Sequence, residues 1–463
     1  MSLDWVLTPQ RLAWAAALIL GYAALCWGIA GATRRRNAAL AQEGALSAGD
    51  GPSVLVVFAS QTGQAESIAR ATAKTLTQCG FRVSLQSISQ LSAVTLDQYP
   101  RSLWMLSTTG EGDAPDQALG FVRQLLPAAP GLQAHQAQVL ALGDREYQQF
   151  CSFGLVVQDW LAAGGAQVQC SCIDNLNASE LKLWQQQVAE LAAQWGGSAV
   201  QALPRDWLQP PVSQQFRLQN RSRLNPGSEG GPLYLLDFLP VSGVMPQWQS
   251  GDLVSLAPPA QADKPRDYSI ASIVSEQRLQ LMVRLSARAD GSVGAASGWL
   301  CQNLALGDSL ELTLREHAAF RLGENAERPL ILIGNGSGLA GLLSHIKARV
   351  EAGRSDQWLV FGERSPEHDA IFNGQLQQWH KHGQLERLDC AWSRHPVQRR
   401  YVQDVLREQG VLLQSWVARG AAIYVCGSLK GMGQGVHEAL ERLLGAETLQ
   451  HMQLQRRYCR DVY

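Results

Sequence analysis

The hydrophobic pattern of this chain changes character several times. It opens with an uncharged run from Leu12 to Ala32, "LAWAAALILGYAALCWGIAGA", followed at once by Arg34, Arg35 and Arg36. As a helix at ~1.5 Å per residue the run reaches about 31 Å, enough to cross a hydrocarbon core. The arginines come after the apolar run, which argues against a cleaved signal and puts the remainder of the chain on the cytoplasmic side. The pattern therefore predicts a single-pass transmembrane anchor over residues 8–33 in the inner (plasma) membrane. A small, polar, glycine-containing linker over 34–52 follows it.

From Ser53 the period changes. Short apolar, β-branched runs each end in a polar loop, and stretches with apolar residues at helical spacing lie between them: "SVLVVFASQTGQAE", "SLWMLSTTGEGD", "QVLALGDREYQQFC". Strands alternating with helices predict a doubly wound parallel sheet over 53–195. Residues 196–211, "GGSAVQALPRDWLQPP", read as a linker. Over 212–325 the runs become short strands separated by turn residues, as in "LYLLDFLP", "GDLVSLAP" and "LQLMVRLSA", which suggests an antiparallel barrel or sandwich, with an antiparallel β-barrel the expected form. From 326 to 463 the βα rhythm returns, so the fold class is α/β plus β.

Composition narrows the function. Thirty-nine Lys and Arg against 40 Asp and Glu leave no basic excess for a polyanion, so nucleic-acid binding is not expected. A hydrophobic content of 46% excludes a polytopic transporter. The nine cysteines are scattered, with neither zinc spacing nor a disulfide framework, and no metal site is expected.

The loops carry the chemistry. "SQTGQAE" joins a strand to a helix, where hydroxyls and backbone N–H groups meet the positive helix end and can hold a phosphate without a lysine. "STTGEGDAP" and "LGDREYQQFC" sit at the carboxyl ends of neighbouring strands, where ligands of open α/β sheets lie. In "RDYS", Arg266 can pair with a pyrophosphate, Tyr268 can lie against a flat ring, and Ser269 can donate to its redox-active end. "GSVGAASGWL" reads as a helix start for a pyrophosphate. "GNGSGLAG" is a glycine turn between strand and helix. In "SRHPVQRRYVQ", Ser393, Arg394, Arg399 and Tyr401 offer hydroxyls, two guanidinium groups and a ring to a 2′-phosphate and adenine. "YVCGS" puts Cys426 at a strand end, and the chain closes on "RRYCRDVY".

Over residues 53–463 this set resembles the NADPH-dependent diflavin reductase family, which includes cytochrome P450 reductase and the flavoprotein component of sulfite reductase. The resemblance implies a flavodoxin-like FMN domain, an FAD domain and a ferredoxin–NADP reductase-like NADP domain, with FAD, FMN and NADPH as cofactors. It assigns Ser60, Gln61, Thr62, Gly63, Gln64 and Ala65 to the FMN phosphate. Ser107, Thr108, Thr109, Gly110 and Gly112 fall to one edge of that flavin. Gly143, Asp144, Tyr147, Phe150 and Cys151 form the third loop, with Tyr147 on one face.

For FAD the resemblance implies Arg266, Tyr268, Ser269, Gly294 and Ser297. For NADPH it implies Gly334, Gly336, Ser337, Ser393, Arg394, Arg399, Tyr401 and Gln403. Ser269, Cys426 and Asp461 would surround hydride transfer, and Tyr463 would cover the FAD ring until the nicotinamide displaces it. Three departures stand out. Only "VSLAPPAQADKP" lies where relatives insert a helical connecting domain, Ser428 replaces an acid, and Asn335 and Ser337 replace Pro and Thr.

The leading expectation is electron flow from NADPH through FAD and FMN to a haem or ferric-chelate partner at the membrane. A sulfite-reducing haemoprotein, an FMN-free docking module and a catalytically silent recruiting subunit are the alternatives. Eleven acids against seven bases over 53–195 suit a basic partner face, or simply a solvated surface.

Overall fold

The computed structural model describes residues 45–46, 51–61, 63–109, 112–143, 145, 149–174, 178–197, 213–262, 265–287 and 291–463. The expected anchor, nearly all of both linkers, and the site candidates Thr62, Gly110, Asp144 and Tyr147 lie outside the described residues.

The first sheet contains β1 (Ala45–Leu46), β2 (Ser53–Ala59), β3 (Arg82–Ser87), β4 (Arg101–Ser107), β5 (Gln136–Gly143) and β6 (Gln167–Asp174). Their order is β1-β3-β2-β4-β5-β6, parallel except where β1 meets β3. Val54 to Val57 are wholly buried. A parallel strand covered on both faces reads as an unbroken apolar run, which is how the sequence reads here. The Gln64–Gln78 helix buries Ala65, Ile68, Ala69, Thr72, Ala73 and Leu76, one stripe at helical spacing. The order reverses between β2 and β4, so the loops after Ala59 and Ser107 converge on one crevice.

The second sheet is antiparallel: β7 (Ser213–Arg223), β8 (Leu233–Pro240), β9 (Leu253–Leu256), β10 (Arg266–Ser269), β11 (Leu279–Arg284) and β12 (Ser309–Arg315), in the order β10-β9-β12-β7-β8-β11. It corrects the expected β-barrel, because the sheet is antiparallel but not closed. β10 is four residues long, and its end meets β11 only at the isolated Ile270–Leu281 bridge, so no ladder closes the sheet.

The third sheet, β13 (Leu330–Asn335), β14 (Gln357–Glu363), β15 (Arg387–Trp392), β16 (Ala422–Gly427) and β17 (Tyr458–Val462), is parallel in the order β15-β14-β13-β16-β17. Leu330 and Leu332 pack into one core, Ile331 and Ile333 into the other, as strand alternation requires. The order reverses between β13 and β16, which brings the turns after Asn335 and Gly427 together.

A second correction concerns the membrane. No helix among the described residues is long and apolar enough to cross a bilayer. The described residues therefore hold no span for the expected transmembrane helix or for the inner-membrane location built on it, and residues 8–33 lie outside them.

His345 lies in the Leu339–Glu351 helix, fully buried between Phe320 (centroids 5.2 Å apart) and Tyr424 (4.8 Å). Burial lowers its pKa to about 3. The unfolded chain then binds a proton that the folded one refuses below the usual value of 6.5. Stability from this residue is intact above that value and is lost as pH falls toward 3, up to on the order of 4–5 kcal/mol. Melting temperatures followed downward in pH should drop less steeply in His345→Leu than in the parent protein; parallel curves would contradict this.

Candidate functional site: a cleft between three sheets

The loop after β2 begins with Ser60, whose N–H donates to Gln117 Oε1 at 3.2 Å. Gly63 has φ 84°, a left-handed turn into the Gln64–Gln78 helix, and the Ser67 hydroxyl donates back to its carbonyl at 3.0 Å. The Ser60 hydroxyl is buried without a hydrogen-bond partner among the described residues, and so is that of Thr108, after β4. Two orphaned hydroxyls at one strand-order reversal fit an anion or polar ring edge brought in by a ligand.

Thr108 N–H donates to Leu142 O at 2.8 Å, and Thr109 N–H closes a turn on Asp113 O at 2.9 Å. A Cβ on Gly143 would stand 2.7 Å from the Cys151 nitrogen, so that position stays glycine. Cys151 itself is buried, its thiol pointing at Ala141 O (3.3 Å), and burial raises its pKa. Arg145 lies over the Phe150 ring at 4.9 Å.

The second and third sheets enclose a cleft of about 1280 Å³. Arg266, Tyr268, Ser269, Gly294 and Ser297 line it from one side. Gly336, Ser337, Ser393, Tyr401 and Gln403 line it from the other. The Ser297 hydroxyl accepts from Ser286 N–H (3.1 Å) and donates to Gly294 O (3.3 Å), which fixes the helix start. Tyr268 is half-buried, and that burial raises its pKa. Gln403 Oε1 is buried with no partner among the described residues.

At the floor, the Ser269 hydroxyl donates to Asp461 Oδ2 at 3.0 Å, and the Cys426 thiol stands 3.7 Å from the same oxygen. Cys426 and Asp461 are register partners on β16 and β17. Burial, then the Asp461 carboxylate, pushes the Cys426 thiol well above its ordinary value, so it is a neutral packing group. Gly338 must be small, because a Cβ there would lie 2.2 Å from Cys426 O.

The chain end does not fray. Tyr463 N–H donates to Gly427 O (3.0 Å), and its carbonyl accepts from Leu429 N–H (2.9 Å). Its phenol meets the Ser337 hydroxyl at 3.0 Å, yet 60% of the residue is exposed, toward the cleft it lines. The departures noted in the sequence meet here too: Asn335 Oδ1 accepts from Ser428 N–H at 3.0 Å, tying the two turns together.

Not every candidate lands in the cleft. Arg394 and Arg399 are exposed and lie outside its lining, whereas Arg400 lines it and pairs with Glu408 at 2.7 Å. Sequence reasoning also missed Arg284, which bonds Gly231 O at 2.8 Å and pairs with Glu363 across the cleft. The available signal was a lone cation at the end of the apolar run "LQLMV". Gln61 serves differently from expectation. Its amide donates to Arg460 O at 3.1 Å, its carbonyl receives His317 Nε2 at 3.0 Å, and it borders the same cleft.

A glycine turn into a helix beside a cleft that holds the Ser269–Asp461–Cys426 cluster fits a nicotinamide-dependent flavoprotein with two flavins. Comparison with known proteins agrees. Residues 56–190 match the family described as Flavodoxin, and 332–438 the one described as Oxidoreductase NAD-binding domain. The chain is 26% identical to a sulfite reductase [NADPH] flavoprotein alpha-component of Cronobacter sakazakii, over 98% of this chain and 95% of that protein. It is 26% identical to the Vibrio cholerae protein of that name (99% and 94%) and 27% to the Escherichia coli one (99% and 96%). These matches support the NADPH-dependent diflavin reductase family, and the chain is an NADPH-dependent flavin oxidoreductase with FAD and FMN as cofactors.

The first alignment runs over 587 positions against 463 residues, so the relatives carry more than a hundred positions with no counterpart here. The short β9–β10 connection accords with a missing connecting domain.

If Tyr463 covers a flavin, a cofactor with fewer contacts displaces it less well. Tyr463→Ala should cut the ratio of kcat/KM for NADPH over NADH about tenfold or more, as steady-state kinetics with both cofactors will read. An unchanged ratio would remove the lid.

Proposed function

We propose that this protein is the electron-donating flavoprotein of a sulfite-reducing system, taking electrons from NADPH and passing them through FAD and FMN to a haem protein. One observation carries the reading: Gln61, on the loop of the first sheet, borders the cleft lined by Ser269 and Asp461, with the Cys426 thiol buried behind them. This supports two flavin sites that neighbour one another in one molecule. That the similar proteins are sulfite reductase flavoprotein components supports sulfite reduction as the system served.

Bound flavins convert a two-electron hydride into single electrons, and the chain positions the partners for that chemistry. Ser60, Gly63 and the first turn of the Gln64–Gln78 helix hold the FMN phosphate, and Thr108 holds a flavin edge. Arg266 and the helix start at Gly294 hold the FAD pyrophosphate, with Tyr268 against its ring. Ser269, oriented by Asp461, donates at the reacting end, and Cys426 packs beside the nicotinamide. Arg394 and Arg399, exposed and without carboxylate partners among the described residues, are the ligands for the 2′-phosphate.

The test is reconstitution. Mixed with a sulfite reductase haemoprotein, the protein should oxidise NADPH in proportion to added sulfite and yield sulfide. NADPH-dependent reduction of a dye without any sulfite-dependent turnover would leave a diflavin reductase with a different one-electron acceptor.

A further inference from the structure

The boundary between the first and third sheets holds a group that the hydride site does not use. Arg123, in the Leu119–Gln124 helix of the first sheet, donates from Nη1 to Glu441 Oε1 at 3.0 Å. Its Nη2 lies 3.2 Å from His437 Nε2, on the Gln434–Leu444 helix of the third sheet. A guanidinium can only donate, so Nε2 must offer a lone pair. The ring's one proton is then on Nδ1, where it donates to the Tyr458 hydroxyl at 3.1 Å, with the two rings stacked 5.9 Å apart at 11°. This arrangement admits only the neutral imidazole. A proton on Nε2 would turn an acceptor into a cation facing Arg123 at the same distance.

We propose that His437 is a proton-operated latch: while neutral it holds the first sheet against the third through Arg123, and protonation at Nε2 releases the first sheet. The charges facing the ring set the balance. Arg123 comes from the first sheet's helix, Arg460 and the Tyr458 phenol from β17, and Glu438 and Glu441 from the ring's own helix. Burial lowers the pKa of His437, Arg460 and Arg123 push the same way, and the two glutamates oppose. Undocking removes Arg123 and rehydrates the ring, so the undocked form is the better proton acceptor and acid favours it. The first sheet also meets its neighbours where the Gln61 amide donates to Arg460 O and where His317, from the turn after β12, reaches Gln61 O.

The opening itself does not depend on which acceptor the protein serves. Its use rests on the relay proposed above: an undocked first sheet turns its flavin site away from the cleft and toward a partner. One proton changes the undocked-to-docked ratio by at most roughly tenfold per pH unit.

Small-angle X-ray scattering on the flavin-loaded full chain between about pH 8 and about pH 6 reads this directly, whatever the acceptor. The parent protein should expand as pH falls. His437→Gln keeps an oxygen that accepts from Arg123 but cannot be protonated, and should stay compact throughout. Arg123→Gln should be expanded at both ends of the range. His437→Gln retains every other titrating group, so expansion in that variant matching the parent would overturn the proposal, as would a parent whose radius of gyration does not change.

Discussion

Asp461→Asn should slow NADPH-dependent flavin reduction by on the order of a hundredfold. The carboxylate oxygen Oδ2 accepts from Ser269 at 3.0 Å and faces the Cys426 thiol at 3.7 Å, so one atom orients two neighbours of the reacting centre. Asp461 is 7% exposed and held by the β16–β17 register, so asparagine fits the space with little rearrangement. What changes is the acceptor: an amide has one oxygen, and with its NH₂ toward Ser269 the hydroxyl must turn away. On the reading proposed above the adenine half is held away from Asp461, so the dissociation constant of NADP⁺ should move less than about threefold while the rate falls. Stopped-flow reduction under anaerobic conditions, with NADP⁺ titrated separately, checks both halves. An unchanged rate would remove Asp461 from the hydride site.

The second large effect is expected at Arg394. A charge-assisted contact to a phosphate contributes enough that Arg394→Ala should weaken NADPH by about ten- to a hundredfold. NADH lacks the 2′-phosphate and should be unaffected within about twofold. Arg394 and Arg399 are exposed, while Arg400 is already paired with Glu408 and with Cys390 O. A phosphate arriving from solvent therefore meets the first two as available cations. Equal losses with both cofactors in equilibrium binding would move the site to Arg400 or to Arg364, which lines the cleft.

Much of the fold was legible because parallel strands buried on both faces leave apolar runs that no solvent face interrupts. "LVVF" and "LILI" are such runs, and the polar loops behind them stand at the two strand-order reversals. The open second sheet was not legible. Whether it closes depends on four residues of β10 and on where they end, which no period encodes. Side-chain direction was lost for the same reason: Arg394, Arg399 and Arg400 look alike in a loop, but only Arg400 faces the cleft. Arg284 with Glu363 and Arg123 with His437 join residues 79 and 314 positions apart, beyond the reach of any local pattern.

The central claim is that electrons reach a haem acceptor only through the FMN held by the Ser60 loop. Stripping FMN from the loaded protein with a chaotropic salt, then following NADPH-dependent reduction of ferricyanide and of a haem acceptor in parallel, tests it most directly. The account predicts that ferricyanide reduction persists from FAD, that haem reduction is lost, and that one equivalent of FMN restores it. Haem reduction that continues at the full rate without FMN would contradict it.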